Sequence, residues 1–103
     1  MIVARTIFYL NPDARGATEF LKLTTDYCRK HCKVSTLMVA TSGPDVPLPG
    51  IVIRENMFES FAAWEKFLYE TLPNDPEWKE IWKQAEGKNF FSRTEFQTYR
   101  VVG

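Results

Sequence analysis

The chain predicts an α+β fold: a four-stranded antiparallel sheet with helices packed on one face. Three observations carry that reading. Segments rich in β-branched and aromatic residues stand at positions 2–10, 34–41, 50–58 and 89–102. Between them, two stretches repeat their apolar residues at helical spacing. The resulting order is strand, helix, strand, strand, helix pair, strand, with no repeat, low-complexity tract or linker to divide it, so residues 1–103 are read as one domain.

The first strand, "IVARTIFYL", stops at the turn signal "NPD" and places Ile2, Ala4, Thr6, Phe8 and Leu10 on one face. From Ala14 to His31, a stripe of Ala17, Phe20, Leu21, Thr24, Tyr27, Cys28 and His31 opposes Glu19, Lys22, Asp26, Arg29 and Lys30, the pattern of a helix with one buried side. "VSTLMVAT" is the second strand. The three prolines and two glycines of "SGPDVPLPG" predict an irregular loop before the third strand, "GIVIRENMF". Ser60 is placed to cap a helix carrying Phe61, Trp64, Phe67, Leu68 and Leu72 along one side, with Pro73 ending it. Asp75 and Pro76 open another helix, with Trp78, Ile81, Trp82 and Ala85 on its apolar stripe and Gly87 beyond its end. The chain returns to a β pattern at "NFFSRTEFQTYRVV".

Two strand-helix-strand halves of this kind match the split βαβ arrangement of the ferredoxin-like fold. Alternation then assigns Val3, Arg5, Ile7 and Tyr9, Val52, Arg54 and Asn56, and Arg93, Glu95, Gln97 and Tyr99 to the face away from the helices. That face is too apolar for a solvated surface and too charged for a core. A second copy of the sheet across it would bury the apolar groups and let Arg5 or Arg54 pair with Glu95, so a homodimer is expected. On the helix side, the small residues Ala4, Thr6, Ala40, Ser92 and Thr94 face large aromatics, which predicts a cavity with a few hydroxyls at its wall.

Thirteen basic and thirteen acidic residues give a net charge of zero, which removes the electrostatic footprint of a nucleic-acid or anionic-membrane binder. No apolar run approaches the roughly 20 residues of a membrane span, and "MIVARTIFYLNPD" lacks the parts of a signal peptide, so a cytoplasmic protein is expected. Both cysteines and the only histidine fall in "DYCRKHCKV". Three ligands on one helix suit neither a four-ligand zinc site nor the haem attachment motif, and no metal is expected. No phosphate-cradling glycine loop or Ser-His-Asp pattern is present.

Three residue sets carry candidate chemistry. His31 reads either as a base on the buried stripe or as a satisfied histidine at a helix end, where the dipole favours its cation and burial its neutral ring. Glu55, directed with Ile51, Ile53 and Met57 toward the helices, reads either as a proton shuttle with a raised pKa or as a strand-end carboxylate reaching solvent. Trp64, Trp78 and Trp82 read either as core or as the stacking walls of an aromatic-ligand site.

The segment "FESFAAWEKFLYETLPNDPEWKEIWKQA", residues 58–85, resembles the helical half of the dimeric α+β barrel superfamily, in particular its NIPSNAP-like and antibiotic biosynthesis monooxygenase-like members. The resemblance rests on the serine that starts a helix with "AAW" in its first turn and on the "DPEW" that opens the next. It implies a two-sheet homodimer holding a small hydrophobic, aromatic or polyketide-like molecule, and oxygenation or ring closure without a cofactor. In that mechanism His31 or Glu55 moves the proton, Asn11 or Thr6 orients an oxygen, and the three tryptophans shape the cavity. A non-catalytic hydrophobic-ligand-binding or assembly module, or a haem-handling protein, is the alternative. Haem-handling members instead combine a first-strand asparagine with a later tryptophan and histidine, and this chain has no histidine after position 31.

Overall fold

In the computed structural model, which describes residues 1–44 and 46–103 apart from the side chain of Pro47, the expected strands form one sheet. They are β1 (Ile2–Leu10), β2 (Val34–Gly43), β3 (Val46–Phe58) and β4 (Phe91–Arg100). Their order is β2-β3-β1-β4, and every neighbouring pair is antiparallel. Helix α1 (Ala17–Arg29), the helical run α2 (Phe61–Lys66) to α3 (Leu72–Asn74), and α4 (Pro76–Lys83) supply the other layer. The fold is α+β and ferredoxin-like, as the element order predicts.

The core forms where these layers meet. Ala17, Phe20, Leu21, Tyr27 and Cys28 of α1 are buried against Ile2, Phe8, Val52 and Phe58 of the sheet, with Phe67, Ile81 and Phe90 closing the cluster. Each large apolar side chain among them contributes about 1.5–3 kcal/mol by leaving water. Local signals place the helices. Ser60 Oγ accepts the Ala63 amide at 3.1 Å to start α2, and Asp75 Oδ1 accepts the Glu77 amide at 2.9 Å to start α4. Gly16, at φ +83°, supplies the left-handed residue that leads into α1.

Four expectations change. First, the phase of β3 is reversed. Thr6 pairs with Arg54 and Ile7 with Ile53, so Val52, Arg54, Asn56 and Phe58 face the helices, whereas Ile51, Ile53, Glu55 and Met57 face away. Second, the proline-rich stretch is not an irregular loop. Gly43 pairs with Val46 and Thr41 with Pro47 across two register shifts. Prolines are accepted here because β1 stops pairing at Ile51, leaving this arm of β3 with one neighbour. Third, the helix beginning at Phe61 does not stop before Pro73. It widens into a π-helical turn at Phe67–Thr71, in which the Leu72 amide bonds to the Phe67 carbonyl, and runs on to Asn74. A proline ring displaces the carbonyl four residues earlier, and the wider turn accommodates this. Fourth, α1 ends at Arg29, so His31 sits in the following turn, exposed rather than on the buried stripe. Among the described residues, no helix is long and apolar enough to cross a membrane.

A candidate ligand-binding cavity

Between the sheet and the helical layer lies a cavity of about 560 Å³. Ala4, Thr6 and Phe8 of β1, Arg54, Asn56 and Phe58 of β3, and Thr94, Phe96 and Thr98 of β4 form its floor. Trp64, Phe67, Leu68, Leu72, Trp78 and Trp82 roof it, and Cys28 of α1 closes one end. The space exists because small side chains, Ala4, Thr6 and Thr94, occupy floor positions where larger ones would meet the roof. It opens along edge strand β4, where Phe96 lines the cavity and is nevertheless 78% exposed.

The three tryptophans serve both readings given to them. Trp82 meets Phe20 edge-on with centroids 4.9 Å apart, and Trp78 lies 4.9 Å from Tyr27, so each braces the core while presenting its remaining surface to the cavity. Trp82 Nε1 is buried without a hydrogen-bond partner among the described residues. The π-helical turn carries Phe67, buried against Phe58 at 5.4 Å, and Leu68 onto the same wall.

One end of the cavity is polar. Ser35 Oγ donates to Asn56 Oδ1 at 2.5 Å, and Arg54 Nη1 donates to Thr24 Oγ1 at 2.6 Å, with the Arg54 guanidinium carbon 5.2 Å from the Phe8 ring centroid. Arg54 is only 7% exposed and its Nε has no hydrogen-bond partner among the described residues. Burial lowers its pKa from the ordinary arginine value, against opposing contributions from Cys28 and Cys32. Burial also raises the Cys28 thiol pKa, outweighing Arg54 and a hydrogen bond with Asn56, and pushes Cys32 up to about 11. No Asp, Glu or His lines the cavity among the described residues.

The structure brings Thr6, Trp64, Trp78 and Trp82 together around this space and leaves His31, Glu55 and Asn11 outside it. His31 stacks on Tyr27 at 4.7 Å, with Nε2 4.0 Å from Asp75 Oδ2. Glu55 lies on the opposite sheet face and accepts from Arg5 Nε at 2.7 Å, because β3 has the reverse phase. Asn11 Nδ2 donates to the Asn89 carbonyl at 2.6 Å, in the turn beyond β1. Of the small residues assigned to the wall, Ser92 instead donates to the Tyr9 carbonyl at 3.1 Å, at the β1–β4 register shift, and Ala40 is not part of the lining. Cys32 Sγ turns back to the Cys28 carbonyl at 2.9 Å, away from His31's partner Asp75.

Sequence reasoning missed Arg54, Asn56 and Cys28 as cavity residues. The available signal was Arg54 and Asn56 sharing a strand face with Val52 and Phe58. Fold and site together define a class: ferredoxin-like α+β proteins with one sheet face open and a ligand-sized apolar cavity beneath the helices on the other.

Comparison with solved structures agrees with that fold. A Deinococcus radiodurans protein provisionally assigned as an antibiotic biosynthesis monooxygenase superposes with a TM-score of 0.73 at 12% identity, covering 100% of this chain and 94% of its own. A NIPSNAP domain protein from Burkholderia xenovorans gives 0.68 at 16% identity, with 99% and 95% covered. An ethyl tert-butyl ether D family protein from Bacillus halodurans gives 0.60 at 12%, with 99% and 100% covered. These similarities establish the shared fold. No family model and no curated protein sequence matches the chain.

Proposed function

We propose that the protein binds a small, largely aromatic molecule in the cavity and acts as a homodimer whose two sheets face each other. The observation that carries the first part is the cavity itself. Its volume falls within the roughly 300–1,000 Å³ of ligand pockets, and its walls combine aromatic surface with a few convergent polar groups. Support for the dimer comes from the uncovered sheet face, where Val3, Ile7, Ile51, Ile53 and Met57 share one surface with no helix over it. A partner seated there would also stand near the β4 edge, where the cavity opens.

Saturable quenching of tryptophan fluorescence by naphthalene derivatives tests the binding reading. Ala4→Phe, which fills the floor, should abolish the quenching while the protein stays folded by circular dichroism; quenching unchanged in that variant would remove the cavity from the proposal.

A second reading, oxygenation or ring closure without a cofactor, draws on the name of the Deinococcus neighbour. Because the described lining offers no carboxylate or imidazole, a substrate would have to reach the cavity already ionised, with Arg54 stabilising the oxyanion. In oxygenation of an activated methylene to a carbonyl, the substrate supplies the electrons that reduce the second oxygen atom to water. His31, Glu55 and Asn11 stand outside that scheme, so His31→Ala, Glu55→Gln and Asn11→Ala should leave oxygen uptake with anthrone-type phenols unchanged.

A further inference from the structure

The charge balance around Arg54 is incomplete. Arg5 holds Glu55 at 2.6 Å, Arg29 holds Asp26 at 2.7 Å and Arg93 holds Glu95 at 2.5 Å, all with solvent access. Arg54 is the arginine that folding buries, and among the described residues no carboxylate lies within ion-pair distance of it. Its protein neighbours are neutral: the Thr24 hydroxyl, the Phe8 ring and the Cys28 thiol. Burial keeps Cys28 protonated at neutral pH, so it supplies no counter-charge. A guanidinium held out of water without an anion is costly, and it also forms part of the cavity wall.

Resting on the ligand-binding reading above, we infer that the ligand is an aromatic monoanion whose carboxylate, or ionised phenol or enol, seats on Arg54 while its ring system lies beneath Trp64, Trp78 and Trp82. The planar donor fork of arginine suits an oxyanion, and the surrounding low dielectric strengthens the pairing. The rest of the cavity selects for an apolar body, so a small hydrophilic anion such as acetate gains the charge pairing but little burial. Charge at one end and aromatic surface along the roof also fix one orientation of the ligand.

The test compares 2-naphthoate with 2-naphthamide, which have the same ring system and differ in charge, by tryptophan fluorescence at pH 7.5 in the wild-type protein. Naphthoate is expected to bind about tenfold tighter or more. Arg54→Gln should bring the two affinities together by weakening naphthoate, and Arg54→Lys should retain part of the preference. Equal affinity for the two probes in the wild type, or a preference that survives Arg54→Gln, overturns the inference and leaves the cavity reading intact. Binding of neither probe removes the cavity reading and this inference with it. The wild-type pair decides the sign even if a variant folds poorly.

Discussion

On the open face of the sheet, Arg5 reaches Glu55 at 2.6 Å and lies 5.0 Å from the Tyr99 ring, while Arg93 reaches Glu95 at 2.5 Å and lies 4.3 Å from the Tyr9 ring. On the helix-covered face, Arg54 has a threonine hydroxyl, a phenylalanine ring and, among the described residues, no carboxylate. Among the described residues, the open face pairs Arg5 and Arg93 with carboxylates and is short of apolar cover; the covered face has its apolar contacts and lacks an anion. Under the proposals above, two different partners would satisfy these deficits. A second copy of the sheet would serve the first face, and a small acidic aromatic molecule the second.

The largest effect separating the faces is expected from truncating the covered side. Phe67→Ala should cost about 3–5 kcal/mol in urea unfolding, because Phe67 is buried between Phe58 and the helical wall. Ile7→Asp on the open face should convert the proposed dimer to a monomer in sedimentation velocity, at about 3 kcal/mol per copy for a charge buried without a partner. A variant that sediments like the wild type would mean that this face meets water. Arginine replacement sharpens the contrast by its sign. Arg54→Met should stabilise the ligand-free protein by about 1–3 kcal/mol by removing an uncompensated buried charge. Arg5→Met, which breaks a part-exposed pair, should change stability by no more than about 1 kcal/mol and in the destabilising direction.

A further difference between the faces is alkaline. Burial raises the Cys28 thiol and takes Cys32 to about 11; Tyr27 rises by burial and by donating to Asp75 Oδ2 at 2.6 Å. Each group holds its proton more tightly in the folded chain, so its contribution is full below the unfolded value, near pH 9 for the thiols, and is lost as pH rises through the folded value. Stability should therefore fall between about pH 9 and 11, by up to about 1.4 kcal/mol per pH unit for each group titrating. All three groups lie on the helix side, and Cys32→Ser should flatten part of that slope.

Much of this arrangement was legible in residue chemistry. Ser60, Asp75 and Pro76 mark helix starts through local hydrogen bonding, which needs no knowledge of the rest of the fold. The small floor residues Ala4, Thr6 and Thr94 opposite three tryptophans pointed to a cavity, and Thr6, Trp64, Trp78 and Trp82 line it. The phase of β3 was not legible, because "IVIRENMF" carries apolar residues on both faces: Val52 and Phe58 on one, Ile51, Ile53 and Met57 on the other. A shift of one residue exchanges Arg54 for Glu55, and only the register with β1 decides between them. The π-helical turn escaped for a related reason, since its five residues keep a helical apolar pattern whichever hydrogen bonds they make.

The two-face account is tested most directly by ¹⁵N–¹H spectra recorded while 2-naphthoate is added. The account predicts saturable shifts of the three indole Nε1–H resonances and of the Arg54 and Asn56 amides, with Ile7, Ile53 and Met57 on the open face unmoved. Indole resonances that stay in place while the open-face amides shift would contradict it.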